Sequence, residues 1–491
     1  MKFPYYFYKK EFIKRMKELE EAFKENDTFK TVCYLRYLCH FCYMINYTFS
    51  NDRLEEITKE ISIKYLGNTK IQKTKEDTVA FYDGFGLLNR GLANIYVNAL
   101  EKLGYKIIWI LYSYAPELND ILRKYEDRDH ISFVVIPKRT ILERMEVLRD
   151  KIKEISPRYL FVYTNPEDVC GIGTISTITK GVERYLIDLT DHAFWLGKCA
   201  VDWFIEFRDY GFNIGAQYRK ILPDRMITLP YYPATREKYA FEGFTFDVKK
   251  HPFVFSGGSS YKIEGKTTYE EMVRYILKKY KDIKFVFASN DENETLKKLC
   301  EDFPKQFFHI AERKDLDAIL QHAKFYLSTY PITGGLMTQY ALQNQCIPIT
   351  LCDEIMGETD PKTMMLEPQK VNFVFYKKED VLLEIDRLMS NESYYLKRKA
   401  ELENQIISEE EFIRQLNCLL KYKETEFKKI PQDIDVKKFL AVYRDNATCK
   451  RYCEMIYDSR NKWIYKKHPL IVRGEKIRET IKRYSKKTGR S

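Results

Sequence analysis

The amino-acid sequence predicts an α/β protein with two facing, doubly wound domains, each built on a parallel sheet, and with helical regions at both ends. The length of 491 residues exceeds what one hydrophobic core usually supports. From residue 77 onward, short runs rich in Phe, Val, Ile and Tyr alternate with helical patterns, which is typical of βαβ units. The same alternation restarts near residue 252, after the prolines at 230 and 233. Two domains of similar design are therefore expected.

These patterns divide the chain into four regions. Residues 1–76 are expected to be helical, because apolar side chains recur at helical spacing on both sides of a break at 25–28. Residues 77–235 are expected to form the first α/β domain, and residues 236–377 the second. Residues 378–491 are again expected to be mainly helical.

Strands alternate with helices in both predicted domains. In the first domain, strands are expected at 78–86, 105–114, 132–136, 159–164 and 184–189. In the second domain, strands are expected near 252 and at 283–289, 307–311, 325–328 and 347–351. A charged helix is expected later in the chain, at 394–419.

The net charge of +11 is concentrated at the C-terminus, where residues 466–491 hold ten Lys and Arg residues and two Glu residues. Apolar residues at helical spacing would let this tail lie on an anionic membrane surface or an acidic partner; a solvated helix is the plainer interpretation. No zinc-finger spacing or aromatic–basic RNA-binding signature is present, so nucleic acid is not an expected partner. The absence of a secretory signal and of a spanning apolar run predicts a cytoplasmic protein, with any membrane contact at the inner face.

The segment FYLSTYPITGGLMTQYAL at 325–342 is expected to hold a phosphate group, because it reads as a strand, a tight turn and the start of a helix. Gly334 and Gly335 let the backbone come close to a ligand. The helix after them would offer free amides and the positive end of its dipole. Thr333 and Thr338 add hydroxyl donors. A purely structural strand-to-helix turn is the alternative.

A second phosphate-binding turn is expected at 256–262, SGGSSYK, which also follows a strand. Ser259 and Ser260 are small and carry hydroxyl groups, and Lys262 adds a compact positive charge. Lys266, four residues further on, could take that role instead. An ordinary surface lysine is the alternative in each case.

The predicted strand 78–86 runs into a glycine-containing loop made of Asp83, Gly84, Phe85 and Gly86. Its spacing is not the dinucleotide-binding fingerprint. The backbone there could approach an acceptor or donor sugar, or the loop could be a plain tight turn.

His192 is the candidate catalytic residue, with Asp191 beside it. Both follow the predicted strand 184–189, and doubly wound domains bind ligands at the carboxyl ends of their strands. Histidine side chains titrate near neutral pH, so His192 could act as a general base. A structural histidine is the alternative.

Taken together, these segments resemble the GT-B glycosyltransferases. More narrowly, they resemble the family that includes the O-GlcNAc transferases and the bacterial cytosolic glucosyltransferases that modify adhesins. The likeness lies in SSYK at 259–262, KFVFAS at 284–289, TYPITGGLMTQYAL at 329–342 and DHAFWLGKCAVDWFIEF at 191–207. It covers roughly residues 78–380.

The resemblance implies a GT-B fold with two Rossmann-like domains, a nucleotide-diphosphate sugar donor, most readily a UDP-sugar, and no metal or other cofactor. The donor diphosphate would contact Lys262, Thr333 and the amides of Gly334 and Gly335, and His192 would lie near the reacting centre. The acceptor would be a glycan, a lipid-linked glycan, or a hydroxyl or amide of a protein. Such an enzyme would build bacterial surface polysaccharide, such as capsule, or glycoprotein.

The chain departs from the family pattern at several positions. Ser328 stands where the family has an acid before Thr329, and Leu336 and Met337 replace a pair of threonines. No 34-residue repeat is detected either, and these differences weaken the case for a protein acceptor. Retaining GT-B enzymes carry two glutamates in the helix after the glycine turn, whereas this chain has Gln339 and apolar neighbours. The comparison favours an inverting, hexosyltransferase-like mechanism.

Three alternatives stay open. A metal-dependent enzyme would need an Asp-x-Asp at a strand end, and Asp127-Arg128-Asp129 precedes a strand instead, as a solvated loop would. A nucleotide-sugar epimerase of the same architecture would bind the same donor but need more acid–base groups in the cleft. A non-catalytic protein that binds a sugar nucleotide, or serves assembly, would also lack the two glutamates.

Overall fold

The computed structural model describes most of the chain. The described residues are 4–85, 91–112, 120–137, 139–234, 238–264, 266–353, 366, 372–427, 429–438, 440–441, 449–458 and 461. Gly86 and the basic tail at 466–491 lie outside them.

The chain begins with helices, as the sequence predicts. They are α1 (Tyr5–Lys24), α2 (Thr28–Ile45) and α3 (Asp52–Leu66). The predicted break between the first two helices is fixed by Asp27, whose carboxylate accepts the N–H of Lys30 at 3.0 Å. Asn51 caps α3 in the same way. No described helix combines the length and apolar character needed to cross a bilayer.

A seven-stranded parallel sheet forms the first α/β domain. Its elements are β2 (Lys75–Asp83), α4 (Gly91–Lys102), β3 (Lys106–Leu111), α5 (Asp120–Tyr125), β4 (Ile131–Val135), α6 (Ile141–Ile155), β5 (Pro157–Tyr163), α7 (Val169–Ser176), β7 (Glu183–Asp188), β8 (Trp203–Glu206), α8 (Asp209–Gln217) and β9 (Met226–Thr228). The spatial order is β4-β3-β2-β5-β7-β8-β9. A short parallel pair, β1 (Thr69–Lys70) with β6 (Ile178–Lys180), lies apart from this sheet.

A six-stranded parallel sheet forms the second domain. Its elements are β10 (Phe253–Gly257), α9 (Thr268–Lys279), β11 (Lys284–Ala288), α10 (Glu294–Asp302), β12 (Phe307–Ile310), α11 (Leu316–His322), β13 (Phe325–Leu327), α12 (Gly335–Gln343), β14 (Pro348–Leu351) and β15 (Val374–Phe375). The spatial order is β12-β11-β10-β13-β14-β15. The predicted architecture of two doubly wound parallel sheets is confirmed.

Apolar side chains cover both faces of each sheet, as buried parallel strands require. In β2, Ala80 and Tyr82 pack on one face with α1, α2, α3, α6 and α7. Val79 and Phe81 pack on the other face with α4 and with Phe412 of a C-terminal helix. The N-terminal helices therefore share a core with the first α/β domain.

The C-terminal helices are α13 (Lys378–Ser390), α14 (Glu392–Ala400), α15 (Glu409–Tyr422) and α16 (Cys449–Tyr457). The single charged helix expected at 394–419 was wrong, because the chain breaks between α14 and α15. Asn404 adopts a left-handed conformation there, with φ of 59°. Ser408 then starts the next helix by accepting the N–H of Glu411.

These helices pack on both domains. Side chains of α13 join the core of the second sheet, whereas those of α15 join the core of the first. Tyr452 of α16 packs edge-on against Phe7 and Phe41 of the N-terminal helices. The domain boundaries given by the sequence stay predictions.

Candidate functional site

Both sheets reverse their strand order at one position, and ligands of doubly wound domains bind at such positions, beyond the carboxyl ends of the strands. The reversal lies between β2 and β5 in the first sheet and between β10 and β13 in the second. The loops chosen from the sequence follow these strands: 83–86 follows β2, 256–262 follows β10, and 328–335 follows β13.

Lys262 carries an uncommitted positive charge in the loop after β10. Its amine makes no hydrogen bond or ion pair with any residue that the structure describes, and burial lowers its pKa. The amine lies against Gly258, because a Cβ added to that glycine would be 3.9 Å from Lys262 Nζ. A partly buried cation without a carboxylate partner is suited to bind an anionic ligand.

The two predicted serines differ from each other. Ser260 is buried, and both its hydroxyl and its N–H donate to Asp291, with the hydroxyl at 2.8 Å. Ser259 is exposed and its side chain makes no hydrogen bond with a described residue. The Ser260 hydroxyl therefore fixes the loop, whereas the Ser259 hydroxyl is available to a ligand.

The helix α12 begins at the predicted glycine pair and has no side-chain cap. The N–H of Gly334 donates to Ser328 Oγ at 3.2 Å, and Thr338 makes the first helical bond, to Gly334 O at 2.9 Å. The Thr338 hydroxyl also donates to Gly334 O, so it is committed within the helix. The amides of Gly335 and the two residues after it precede the first helical bond, and such amides at a helix start can bind an anion.

The loops after β10 and β13 are joined to each other. The N–H of Ile332 donates to the carbonyl of Lys262 at 3.2 Å. Thr333, beside Ile332, is buried. This bond brings the loop of Lys262 next to the segment that leads into α12; the binding of a diphosphate there stays a prediction.

Lys266, the alternative lysine, is already paired. Its amine lies 2.6 Å from Asp353 Oδ2 and 3.0 Å from the hydroxyl of Tyr330. Its pKa is raised, because these two partners outweigh burial. Lys262 is therefore the better candidate for binding an anion.

In the first domain, His192 lies just beyond β7 with its side chain 42% exposed. Its Nδ1 is 3.4 Å from Asp191 Oδ1. Arg208 holds the buried Asp191 carboxylate with two hydrogen bonds, at 2.6 and 2.8 Å. Burial would raise the pKa of Asp191, but the charge and hydrogen bonds of Arg208 lower it to about 2. The carboxylate is thus a fixed anion that orients the imidazole and leaves Nε2 for a ligand.

Arg219 fastens the same loop from inside the protein. Its guanidinium donates to the carbonyl of Ala193 at 2.7 Å and to that of Asp191 at 3.2 Å. It also lies over the ring of Trp195, 4.4 Å from the centroid. The backbone on both sides of His192 is therefore held by a buried cation.

Two more buried acids lie under this loop. Asp188 accepts the indole N–H of Trp195 at 2.8 Å, and burial raises its pKa to about 6 even though the charge of Arg219 opposes the shift. Glu206 pairs with Asp188 in register across β7 and β8. Neither oxygen of Glu206 has a hydrogen-bond partner among the described residues. Burial, followed by the charges of Asp188 and Asp191, raises the pKa of Glu206 well above its usual range.

Sequence reasoning missed Glu206, Arg208 and Arg219. For Glu206 and Arg208 the available signal was the run WFIEFR, in which charged residues end an apolar strand; nothing comparable marks Arg219. An unpaired charge is costly in a buried strand end, so such residues indicate a network.

The loop after β2 is shaped by contacts within the protein. A Cβ on Gly84 would lie 1.9 Å from Thr164 Oγ1, so glycine is needed for the close approach of the loop after β5. The buried Asp83 accepts the N–H of Phe85 at 3.1 Å. The role of this loop in binding a sugar stays a prediction.

Contacts between the domains connect the two halves of the site. The amide of Gln339 in α12 donates to the carbonyl of Tyr231 at 3.1 Å. The ring of Tyr231 packs 5.2 Å from that of Phe207, the neighbour of Arg208. Through this segment, α12 is connected to the network that holds His192.

Solved structures that resemble this chain share its architecture. No protein-family model matches the chain, and no curated protein does. Among solved structures, a mutant O-GlcNAc transferase from Thermobaculum terrenum is similar, with 11% identity, a TM-score of 0.50, and coverage of 87% of this chain and 82% of that one.

Two further solved structures are similar. A protein from Listeria monocytogenes described as a UDP-N-acetylglucosamine 2-epimerase has 12% identity and a TM-score of 0.51, and covers 73% of this chain and 100% of that one. The Anabaena protein HepE, solved with UDP-glucose, has 9% identity and a TM-score of 0.50, and covers 70% and 99%. The chain has the GT-B fold.

The GT-B fold confirms the two facing domains that the resemblance implied. The proposed site residues stay predictions. Among the described residues, no group of three or more His, Cys, Asp and Glu side chains is arranged to hold a metal ion. Asp127 and Asp129 lie in an exposed turn before β4. This turn is at the amino end of the strand, whereas the candidate site lies at the carboxyl ends.

Proposed function

We propose that the protein is a glycosyltransferase that moves a sugar from a nucleotide-diphosphate donor, most readily a UDP-sugar, to a hydroxyl or amide of a glycan or protein. The observation that carries this proposal is the unpaired Lys262 amine, joined by Ile332 to the uncapped start of α12. Two positive features meet where the fold binds ligands. The complex of the similar HepE with UDP-glucose supports the choice of donor.

The proposed reaction is inverting and independent of metal. His192 Nε2 takes the proton of the acceptor hydroxyl while that oxygen attacks the anomeric carbon. The bond between that carbon and the diphosphate oxygen breaks, and the electron pair leaves with the diphosphate. Lys262 and the α12 amides stabilise the leaving group. Gln339 supports inversion, because it stands where retaining enzymes carry glutamate and its amide is bonded to Tyr231.

The binding step is tested by thermal denaturation with UDP, GDP and CDP in EDTA. We expect UDP to raise the melting temperature without Mg²⁺. No shift with any nucleoside diphosphate would contradict the donor site.

The chemical step is tested by NMR of the products formed from a UDP-sugar panel. We expect release of UDP and a new glycosidic bond of inverted configuration. A donor returned with one ring carbon epimerised would identify an epimerase instead. The site argues against that outcome, because Asp188 and Glu206 are buried and Asp191 is bound to Arg208, which leaves His192 as the exposed titratable group of this network. Binding without turnover would identify a non-catalytic protein.

We also propose that the basic residues 466–491 attach the enzyme to anionic membranes where surface polysaccharide is made. Their ten Lys and Arg residues support the proposal. Pelleting with vesicles of phosphatidylglycerol and phosphatidylcholine should fall when this tail is removed. Equal pelleting of both proteins would contradict it.

A further inference from the structure

A cavity of about 200 Å³ opens at the reversal point of the first sheet. Its walls come from the loops after β2, β3 and β5 and from helices α2 and α6, and include Arg36, Tyr112, Arg144, Asn165, Glu167 and Asp168. Arg36 belongs to α2, so the N-terminal helices form one wall of a site in the α/β domain.

The cavity is sized for one small polar group. It is smaller than the roughly 300–1,000 Å³ clefts that hold drug-sized ligands. Six of its ten lining residues are charged or polar, so an apolar ligand would leave their hydrogen-bonding groups unsatisfied. A single sugar ring fits both conditions.

Arg144 gives the cavity an unpaired cation. Its guanidinium lies over the ring of Tyr112, 5.3 Å from the centroid, and makes no ion pair with a described residue. Its buried Nε has no hydrogen-bond partner among those residues. A guanidinium in this state is suited to a carboxylate or phosphate.

The carboxylate of Asp168, which also lines the cavity, already has hydrogen-bond partners within the protein. Asp168 Oδ2 accepts the hydroxyls of Tyr82 and Thr164, each at 2.6 Å, and Oδ1 accepts the N–H of Gly171 at 2.8 Å. Asp168 therefore caps α7. Glu167 is buried and adds a second negative charge, so the two acids of the walls formally balance the two arginines. Recognition must come from the hydrogen-bonding geometry of Arg144.

Asn165 adds an unpaired hydrogen-bond acceptor to the cavity. Its Nδ2 donates to Gly84 O at 2.8 Å, whereas its buried Oδ1 has no partner among the described residues. That oxygen can only accept, so it needs a hydroxyl or N–H from a ligand. A ligand that satisfies both residues carries an acidic group and a hydroxyl group.

We propose that this cavity binds an acidic monosaccharide unit of the acceptor, with its acidic group on Arg144 and a hydroxyl on Asn165. The inference rests on the proposed transferase function. The loop after β5 lines the cavity, and the next strand, β7, leads to His192. The cavity and His192 therefore lie beyond the carboxyl ends of adjacent strands, β5 and β7.

Isothermal titration of the whole chain tests this site with three probes: methyl β-glucuronide, glucose 6-phosphate and methyl β-glucoside. We expect an acidic probe to bind at least tenfold more tightly than the glucoside. The glucuronide and the phosphate arms tell which acid is recognised. Equal binding of all three, or binding of none, would overturn the inference.

Two variants of Arg144 and one control variant locate the binding. Arg144→Gln should weaken binding of the acidic probe at least tenfold, and Arg144→Lys, which keeps the charge, should weaken it less. Arg128→Gln removes an exposed guanidinium at the opposite edge of the sheet and should change the affinity less than twofold. Parental affinity in both Arg144 variants would overturn the inference.

UDP titration in the same proteins separates this inference from the proposed function. UDP affinity should be the same in all variants. If an acidic probe binds through Arg144 but UDP does not bind, the cavity is a sugar site and the transferase proposal fails. If UDP binds and the acidic probes do not, the transferase proposal stands and this inference fails.

Discussion

The charged groups at the carboxyl ends of the strands are arranged differently in the two sheets. In the first sheet, acids and arginines are buried together, and Arg208 satisfies Asp191 with two hydrogen bonds. In the second sheet, Lys262 has no partner among the described residues and α12 has no side-chain cap. Arg208 and Arg219 hold the loop that carries His192 from within the protein, whereas Lys262 and the first amides of α12 are available to a ligand.

This difference separates stability from binding. The buried residues that hold His192 in place, such as Asp191 and Arg208, should matter mainly for folding and orientation, since removing one partner of a buried pair leaves the other uncompensated. Lys262 and the start of α12 in the second domain should matter mainly for ligand affinity.

The largest effect is expected from Asp191→Asn. Arg208 would lose its carboxylate inside the protein, and the free energy of unfolding should fall by about 3–5 kcal/mol. Because Arg208 lowers the pKa of Asp191 to about 2, this stabilisation is present above the unfolded pKa, near 4, and is lost as pH falls through 2.

Urea unfolding of this variant and of Asp202→Asn makes the comparison sharper. Asp202 pairs with Arg184 at a more exposed position, so its loss should cost about 1 kcal/mol. Equal costs for the two variants would contradict the idea that burial makes the pair of Asp191 and Arg208 more important for stability than the pair of Asp202 and Arg184.

His192→Ala should lower the transfer rate by about 10²–10⁴-fold, because the acceptor proton would lose its base. UDP affinity should be unchanged, since His192 lies in the first domain and the proposed UDP site lies in the second. The control is His130→Ala, in the turn before β4. A parental rate in His192→Ala would remove this residue from the mechanism.

Glu206→Gln should stabilise the protein, by about 1–2 kcal/mol at pH 8. Burial and the nearby Asp188 and Asp191 charges raise the pKa of Glu206, so the native state retains a proton that the unfolded chain has lost. The parent therefore loses stability as pH rises above the unfolded pKa, near 4, and the variant avoids that loss.

Urea unfolding at pH 5 and pH 8 measures the effect of Glu206→Gln. The advantage of the variant should be larger at pH 8. A variant that is less stable than the parent at pH 8 would show that Glu206 is a paired anion.

The smallest effects separate the two serines. Ser260→Ala should cost about 1 kcal/mol of stability, because Asp291 loses a donor, and should leave UDP affinity unchanged. Ser259→Ala should leave stability unchanged and weaken UDP binding about threefold to tenfold. Melting and titration of both variants measure these effects, and the reverse pattern would exchange their roles.

The alternation of strands and helices was enough to predict both sheets and the loops after β10 and β13. The network around His192 was not predictable, because Asp188 and Glu206 become neighbours only through the register of β7 and β8. Ser260 and Asp291 likewise meet across two loops. Periodicity locates elements along the chain, but these contacts depend on how the elements pair in space.

The most direct test of the proposed donor site in the second domain is UDP titration of Lys262→Met, with Lys266→Met as the matched control. A charged hydrogen bond contributes about 1.5–3 kcal/mol, so Lys262→Met should weaken binding roughly 10- to 150-fold. Lys266 is paired with Asp353, so Lys266→Met should change the UDP affinity less than about threefold. Parental affinity in Lys262→Met, or an equal loss in both variants, would contradict the proposed donor site.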